Sequence, residues 1–269
     1  MTAFANHFAF EFKTGLRNSS LLLMNYLFPL GFYAMMGLVM TQINPGFKEA
    51  MLPAMVIFTI MASNLLGLPG PLVESREAGI YRSFKINGVP ALSILAIPAL
   101  TTVFHALIAS GIIALTAAPL FGGLNPVHWG SFVLLVLLTA FTFSAIGALI
   151  GVVSNGSRST VLWSQLIFLP SMLLGGLMMP LDLLPDSVRT FSALLPTTHA
   201  MQAILGLAYD QATVINPISS VAVLLGSSLL AFGLAIFLFN WDSQNNTRRG
   251  HPLMAFLILV PYLLSIVLP

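Results

Sequence analysis

Six long apolar runs divide this chain, and they constrain its fold more than any other feature. A helix of ~20 apolar residues crosses the ~30 Å hydrocarbon core of a bilayer. Within lipid, each backbone N–H and C=O must be bonded inside the protein, which favours helices. The runs therefore predict six transmembrane helices, at residues 20–41, 51–73, 90–120, 128–153, 160–180 and 217–240.

The composition indicates the same class of protein. Hydrophobic residues make up 57% of the 269 residues and charged residues only 7%, whereas a soluble domain carries about 25% charged residues. We therefore predict an all-α, polytopic membrane bundle forming a single domain over residues 1–269, with lipid as its surroundings. The net charge of +2 is too small to suggest a nucleic-acid partner, and the absence of cysteine excludes disulfides, thiolate metal sites and a cysteine nucleophile.

The first 19 residues precede the first span. Phe4, Phe8, Phe12 and Leu16 recur every four positions, which predicts an amphipathic helix lying in the headgroup region. A helix packed against the bundle is the alternative. The apolar run that follows, at residues 20–41, predicts an uncleaved signal-anchor.

Two later segments depart from a simple alternation of spans and turns. Residues 181–209 contain two short helical pieces, Pro185–Leu195 and Thr197–Tyr209, whose apolar content favours re-entrant helices that dip into the outer leaflet; a plain external loop is the alternative. The apolar tail 253–269 is at the short limit for spanning, so it predicts a marginal seventh span with the C-terminus outside, or else an interfacial hairpin.

The distribution of Lys and Arg predicts the orientation. With the N-terminus in the cytoplasm, only Lys48 and Arg189 of the 10 basic residues fall in outer segments. We therefore expect a multi-pass protein of the cell membrane (the inner or plasma membrane) with a cytoplasmic N-terminus.

The most charged window is ESREAGIYRSFKINGVP, at residues 74–90, between the second and third spans. Its acidic residues precede its basic ones, which complements a helix dipole. Gly79 permits a bend, while Gly88 and Pro90 end the helix. A short cytoplasmic helix of this kind suits docking to a soluble partner; a solvated loop is the alternative.

Several kinds of chemistry are excluded by the motifs that the sequence lacks. There is no GxxxxGK[ST] phosphate loop, so the chain is not expected to hydrolyse ATP. It has no HExxH motif, its five histidines are scattered, and its acidic residues lie outside the spans. We expect no catalytic residues, no metal and no cofactor in this chain. The GxxxG pair, Gly147 and Gly151, weakly predicts a close helix contact.

Polar side chains inside the spans are the remaining candidates. His105 lies near mid-span beside Thr101 and Thr102, and an intramembrane ionisable group is a functional candidate. A neutral histidine bonded to a threonine or a carbonyl is the alternative. Other polar or thioether side chains face either a pathway or the bundle interior. These candidate pathway residues are Asn64, Gln165, Met178 and Met179.

Three stretches together resemble the permease subunit of a type-2 ABC exporter, the group that includes bacterial antibiotic-export permeases. The first is the charged window 74–90, which is similar to the E-x-x-x-G coupling segment of that family. The second is LLGGLMMPLDLLP at 173–185, and the third is LLPTTHAMQAI at 194–204. Their order against six spans, over about residues 5–240, carries the likeness.

The resemblance implies a specific assembly. Two permease chains, identical or different, would pair, and a separate ATPase subunit that binds ATP and Mg²⁺ would sit beneath each. The helix 74–90 would be the coupling helix, and its motion would travel through the second span. The coupling residues would be Glu74, Arg76, Glu77, Ile80, Tyr81, Arg82, Phe84 and Lys85. The segment 181–209 would form an outer gate containing Phe191, Leu195 and His199.

The expected cargo is hydrophobic or amphipathic, such as a drug, a lipid or a lipopeptide, because the spans are rich in Leu, Met and Phe. A polysaccharide exporter is the alternative, although only three Trp and five Tyr are present to stack on sugars. A less favoured alternative is a channel or carrier that works without ATP.

Overall fold

The fold comes from a computed structural model that describes residues 2–242 and 250–267, with side chains from residue 8 onward. Over these residues the chain is all-helical. In chain order the helices are α1 (Thr2–Arg17), α2 (Ser19–Ile43), α3 (Phe47–Glu77), α4 (Ile80–Ile86), α5 (Ala91–Phe121), α6 (Trp129–Val153), α7 (Ser157–Leu174), α8 (Asp186–Ser192), α9 (Pro196–Ala208), α10 (Pro217–Leu238) and α11 (Val260–Val267).

Within the described residues, five helices are long and apolar enough to cross a membrane: α2, α3, α5, α6 and α10. They correspond to the first four predicted spans and the sixth. The predicted fifth span, 160–180, is too long, because α7 ends at Leu174. The chain turns at Gly175 and Gly176, and Gly176 adopts a φ of 83°, which only glycine tolerates easily.

Helix α3 is the centre of the bundle. In its most apolar window 94% of the residues are buried, against 28% in α2 and 39% in α5. A helix that is apolar on all sides has to be surrounded by others, and α3 packs against α2, α5, α6 and α9. This helix is irregular toward its C-terminal part: a π-helical turn occupies Ser63–Gly67, and the chain bends at Leu68 directly before Pro69.

The α3–α6 contact depends on the GxxxG pair, as predicted. A Cβ on Gly147 would lie 2.2 Å from the backbone oxygen of Asn64, and one on Gly151 would lie 3.1 Å from Cβ of Leu72. Both glycines therefore allow the α6 backbone to approach the π-helical turn and the segment after it. The closest approach is backbone to backbone, which no repacking of side chains can relieve.

The N-terminal helix packs on the bundle, which favours the second of the two alternatives for this segment. The ring of Phe12 stacks on His105 of α5 with centroids 4.4 Å apart, and Gly15 faces the same imidazole. Leu16, which the fourfold spacing assigns to the apolar face, is 44% exposed. The partner of His105 is the Tyr26 hydroxyl, 2.7 Å from Nδ1, rather than a neighbouring threonine.

Helices α8 and α9 form a short hairpin whose turn is Ala193–Leu195. The predicted second piece begins one residue earlier than expected, because Pro196 starts α9 instead of separating two helices. Proline suits a first helical turn, where its missing N–H has no partner to lose. His199 ties the hairpin together, since its Nε2 lies 2.8 Å from the carbonyl oxygen of Ala193 and its Nδ1 lies 3.2 Å from Ser220 Oγ of α10.

The apolar tail lies along α10. It is a 3₁₀ helix at Pro252–Leu259 followed by α11. Tyr262 is 1% exposed and its hydroxyl donates to Ser227 Oγ at 2.8 Å, halfway along α10. A 3₁₀ helix rises ~2.0 Å per residue, so the whole tail reaches about 28 Å, longer than an α-helix of equal sequence.

We predict that Gly147→Val destabilises the protein by about 1–3 kcal/mol or more, because the new side chain meets a backbone carbonyl. Gly130→Ala is the matched control, since no atom lies within 4 Å of its Cβ position on the same helix. Thermal unfolding in detergent measures both. Equal stability of the two variants would contradict the α3–α6 packing.

Candidate coupling site

The charged window is built from two helices, not one. Glu74, Arg76 and Glu77 belong to the last turn of α3, and α4 begins at Ile80. The break is Gly79, whose φ of 74° is the left-handed conformation that ends many helices. The predicted single helix over 74–90 is therefore wrong, although its bend at Gly79 and its end near Gly88 are correct.

Arg76 is turned inward and joins α3 to the end of α6. This residue is only 8% exposed. Its guanidinium donates hydrogen bonds to three backbone carbonyls. The bond to Val152 is 2.8 Å, the bond to Gly151 is 3.4 Å, and the third acceptor is Ser154. The last carbonyls of a helix lack partners within it and carry its negative dipole end. Arg76 supplies both the donors and the positive charge.

Glu77 faces the start of the next helix. Its Oε1 lies 3.1 Å from the position that a Cβ on Gly156 would occupy, and Gly156 is the residue before α7. A negative charge is favourable at the positive end of a helix dipole. Adjacent residues of α3 therefore contact opposite helix ends: Arg76 the C-terminus of α6, and Glu77 the N-terminus of α7.

Helix α4 is held by aromatic packing and an ion pair. Tyr81 is 5% exposed, and its ring lies 5.6 Å from Phe239, just past the end of α10. Burial raises the pKa of the Tyr81 hydroxyl, so this group stays neutral. Nε of Arg82 lies 3.3 Å from Oδ2 of Asp242. Phe84 is partly buried against the core.

The surface that α3 and α4 leave open is therefore smaller than the predicted set. The predicted residues Glu74, Glu77, Ile80, Arg82 and Lys85 are exposed, with Ile80 at 44%. Ile86 is the most exposed large apolar residue of this region, at 86%, and the sequence interpretation did not include it. The accessible face therefore combines two acids, two bases and two isoleucines, and one of the bases, Arg82, is paired with Asp242.

A sequence signal for the buried position of Arg76 exists. Pro69, Leu72, Val73 and Arg76 are all buried and follow the i, i+3, i+4, i+7 spacing of one helix face. The apolar face of the second span therefore continues into the charged window and includes Arg76. The prediction of a separate helix at 74–90 did not take this continuous helix face into account.

The candidate pathway residues are not brought together. Asn64 is fully buried inside α3, where its Nδ2 donates to the carbonyl of Ile60 at 2.9 Å. Gln165 of α7 is half-buried. Met178 is half-buried against the core, while Met179 is 45% exposed, in the irregular segment after α7. Asn64 thus lies in the α3–α6 interface and not on an open surface of this chain.

The candidate gate residues lie on the α8–α9 hairpin, in different surroundings. Phe191 is 48% exposed and Leu195 is 7% exposed, and both line one apolar cavity beside α7. His199 is completely buried and holds the hairpin turn through the bonds described above. Among the described residues no cluster of His, Cys, Asp or Glu could hold a metal ion.

Comparison with known proteins agrees with this architecture. The family described as ABC-2 type transporter matches residues 3–209. The chain belongs to this family. It is also similar to a protein of Bacillus subtilis (strain 168) named "Putative transport permease YvfS", with 26% identity over 199 residues, covering 70% of this chain and 78% of that protein. Membership makes the chain a multi-pass transport permease, and ABC-2 permeases normally work with an ATPase subunit.

The match to the ABC-2 family includes α1 to α9 and ends just after α9. Arg76, Glu77 and α4 all lie inside the matched range, and so does the α8–α9 hairpin. Helix α10 and the apolar tail lie beyond it. Tyr81 and Arg82 of this permease therefore contact residues outside the matched range, at the end of α10.

Replacing Arg76 tests the link between α3 and α6. We expect Arg76→Gln to destabilise the protein by about 2–4 kcal/mol, because buried carbonyls lose a charged donor. Arg76→Lys should recover only part of this loss, since a lysine lacks the planar fork. Lys85→Gln, on the exposed face, is the control. Thermal unfolding that is equal for Arg76→Gln and Lys85→Gln would contradict the link.

Proposed function

We propose that this chain is the membrane subunit of an ATP-driven exporter whose separate ATPase subunit docks on the exposed face of α3 and α4. The observation that carries the proposal is a small exposed face backed by a rigid support. Glu74, Ile80, Lys85 and Ile86 are accessible, while Arg76 and Tyr81 fix the same two helices to the bundle. Force applied to such a face reaches α6 and α10 directly.

Transmission in this proposal is broader than a push along one span. The end of α3 contacts α6 through Arg76 and α7 through Glu77, and α4 contacts the end of α10 through Tyr81 and Arg82. A displacement of α4 is therefore transmitted to α3, α6, α7 and α10 together. The π-helical turn at Ser63–Gly67 supports a hinge farther along α3, because such turns interrupt the regular bonding of a helix.

The membrane topology that we propose has six crossings, with α7 as the fifth. At 18 residues α7 spans about 27 Å, close to the hydrocarbon thickness. The α8–α9 hairpin would enter the membrane from the outer side and return to it. The tail would form a marginal seventh span. The N-terminus and α4 would face the cytoplasm, which is the side that the Lys and Arg distribution favours.

The cargo that we propose is hydrophobic or amphipathic. The surfaces of α5 and α7 that face away from the core expose large apolar side chains, with Leu115 at 80% and Leu162 at 65%. Pairing with a second permease chain would enclose part of this surface. A polysaccharide cargo stays the alternative, since Trp129 and Trp163 keep 46% and 37% of their surface exposed and could stack on sugars.

Charge reversal on the exposed face tests the proposed docking. We expect Glu74→Lys with Lys85→Glu to reduce co-purification of the ATPase subunit and ATP-dependent transport in proteoliposomes about tenfold or more, while thermal stability stays unchanged. Glu49→Lys, at the opposite end of α3, is the matched control. Undiminished transport in the double variant, or transport by the purified chain without ATP, would overturn the proposal.

Arg82 needs a different design because it has a partner within the chain. We expect Arg82→Glu to lower transport by breaking its ion pair with Asp242. The exchange Arg82→Glu with Asp242→Arg restores the pair with its charges reversed. Recovery of transport in the exchanged protein assigns Arg82 to internal support, as proposed here. No recovery, with normal stability, would assign Arg82 to the partner surface instead.

A further inference from the structure

Two π-helical turns lie against each other, one in α2 and one in α3. The first occupies Leu23–Leu27 and the second Ser63–Gly67, and the two are in contact. Over the described residues these are the two π-helical segments of the chain. Such turns are rare, and they occur often at functional sites. A contacting pair therefore marks a place where two spans depart together from regular helical bonding.

The two turns belong to differently supported parts of the bundle. Tyr26, within the α2 turn, has its hydroxyl 2.7 Å from Nδ1 of His105, which fixes this turn to α5. The segment of α3 that follows the second turn is held instead by α6 and α7, through Arg76 and Glu77. The contact between the turns thus lies between a part tied to α5 and the segment that carries α4.

The contact is close, yet its buried polar atoms are not bonded. A Cβ on Gly67 would lie 3.4 Å from Oδ1 of Asn25 and 3.8 Å from Cβ of Met24. Asn25 is 3% exposed, and Ser63 and Asn64 are completely buried. Oδ1 of both asparagines and Oγ of Ser63 have no hydrogen-bond partner among the described residues. Buried polar atoms without partners are rare in native proteins, so a group of three needs an explanation.

We propose that the two π-helical turns form one hinge, at which the end of α3 moves relative to α2 when α4 is displaced. The part of α3 before its turn stays with α2 and α5, and the part after it moves with α6 and α7. The amide of Asn25 and the hydroxyl of Ser63 gain partners only in the second arrangement, which explains why both are unpaired in the first. The inference rests on the proposed function, which supplies the displacement of α4.

A disulfide across the contact tests the hinge. The chain has no cysteine, and the 3.8 Å between Cβ of Met24 and the Cβ position of Gly67 matches the spacing in a disulfide. We expect Met24→Cys with Gly67→Cys, oxidised in the assembled transporter, to lower ATP-dependent transport in proteoliposomes about tenfold or more, because the second arrangement cannot form. The ATPase subunit should still co-purify, and dithiothreitol should restore transport. Each single variant, treated with the same oxidant, is a control and should transport normally.

Asn25→Leu tests the role of the buried amide. Leucine is similar in size and has no polar group, so the first arrangement loses an unpaired oxygen and should unfold at the same or a higher temperature. Transport should nevertheless fall by up to about tenfold, the worth of one hydrogen bond in the second arrangement. Ser110→Ala is the control, because it removes a buried hydroxyl that also has no partner among the described residues but lies in the regular helix α5.

Three results would overturn the hinge. The first is normal transport by a chain in which mass spectrometry shows the disulfide between positions 24 and 67. The second is failure of that disulfide to form in the resting transporter, which would contradict the contact between the turns. The third is normal transport in Asn25→Leu, or a loss of transport with a matching loss of stability, which would make Asn25 a structural residue.

Failure of the proposed function would give a different result. The unmodified chain and the reduced double-cysteine variant would then both lack ATP-dependent transport. If both transport and only the oxidised variant is expected to stop, the disulfide reports on the hinge alone.

Discussion

The pairing of two opposite charges with two helix ends organises the end of this permease at which α3 meets α4. Arg76 bonds to the last carbonyls of α6, and Glu77 faces the first turn of α7. These helix ends are consecutive in the chain, separated only by the short turn after Val153. A charge placed at the wrong end would lose its favourable dipole and leave carbonyls without donors. The orientation of α3 relative to α6 and α7 is thereby fixed.

This arrangement explains why so charged a segment can belong to so apolar a protein. Arg76 bonds to carbonyls inside the bundle, Tyr81 packs there on Phe239, and Arg82 pairs with Asp242 at its edge. What remains outside is a short face around Lys85 and Ile86. In the proposed complex, the surface that binds the ATPase subunit would be held by side chains bonded to the bundle. Movement of that surface would therefore be passed on to the helices of the bundle.

Much of the fold could be predicted from the sequence, because lipid permits few solutions. Apolar runs located α2, α3, α5, α6 and α10, and glycine marked the break at Gly79. The length of α7 could not be predicted in this way, since Gly175 and Gly176 interrupt a run that stays apolar to Met179. The inward position of Arg76 depends on carbonyls of α6 that are distant in sequence. The apolar cavity beside α7 likewise arises from packing between segments that no local pattern connects.

Spin-label distances test the central claim that α4 and the α6–α7 turn move as one body. Because the chain has no cysteine, labels can be placed on cysteines introduced at Ser83 and Arg158 alone, in the assembled transporter with and without ATP. The account predicts an unchanged Ser83–Arg158 distance within a chain, while the Ser83–Ser83 distance between paired chains changes. A shift of Ser83 relative to Arg158 on ATP binding would contradict it.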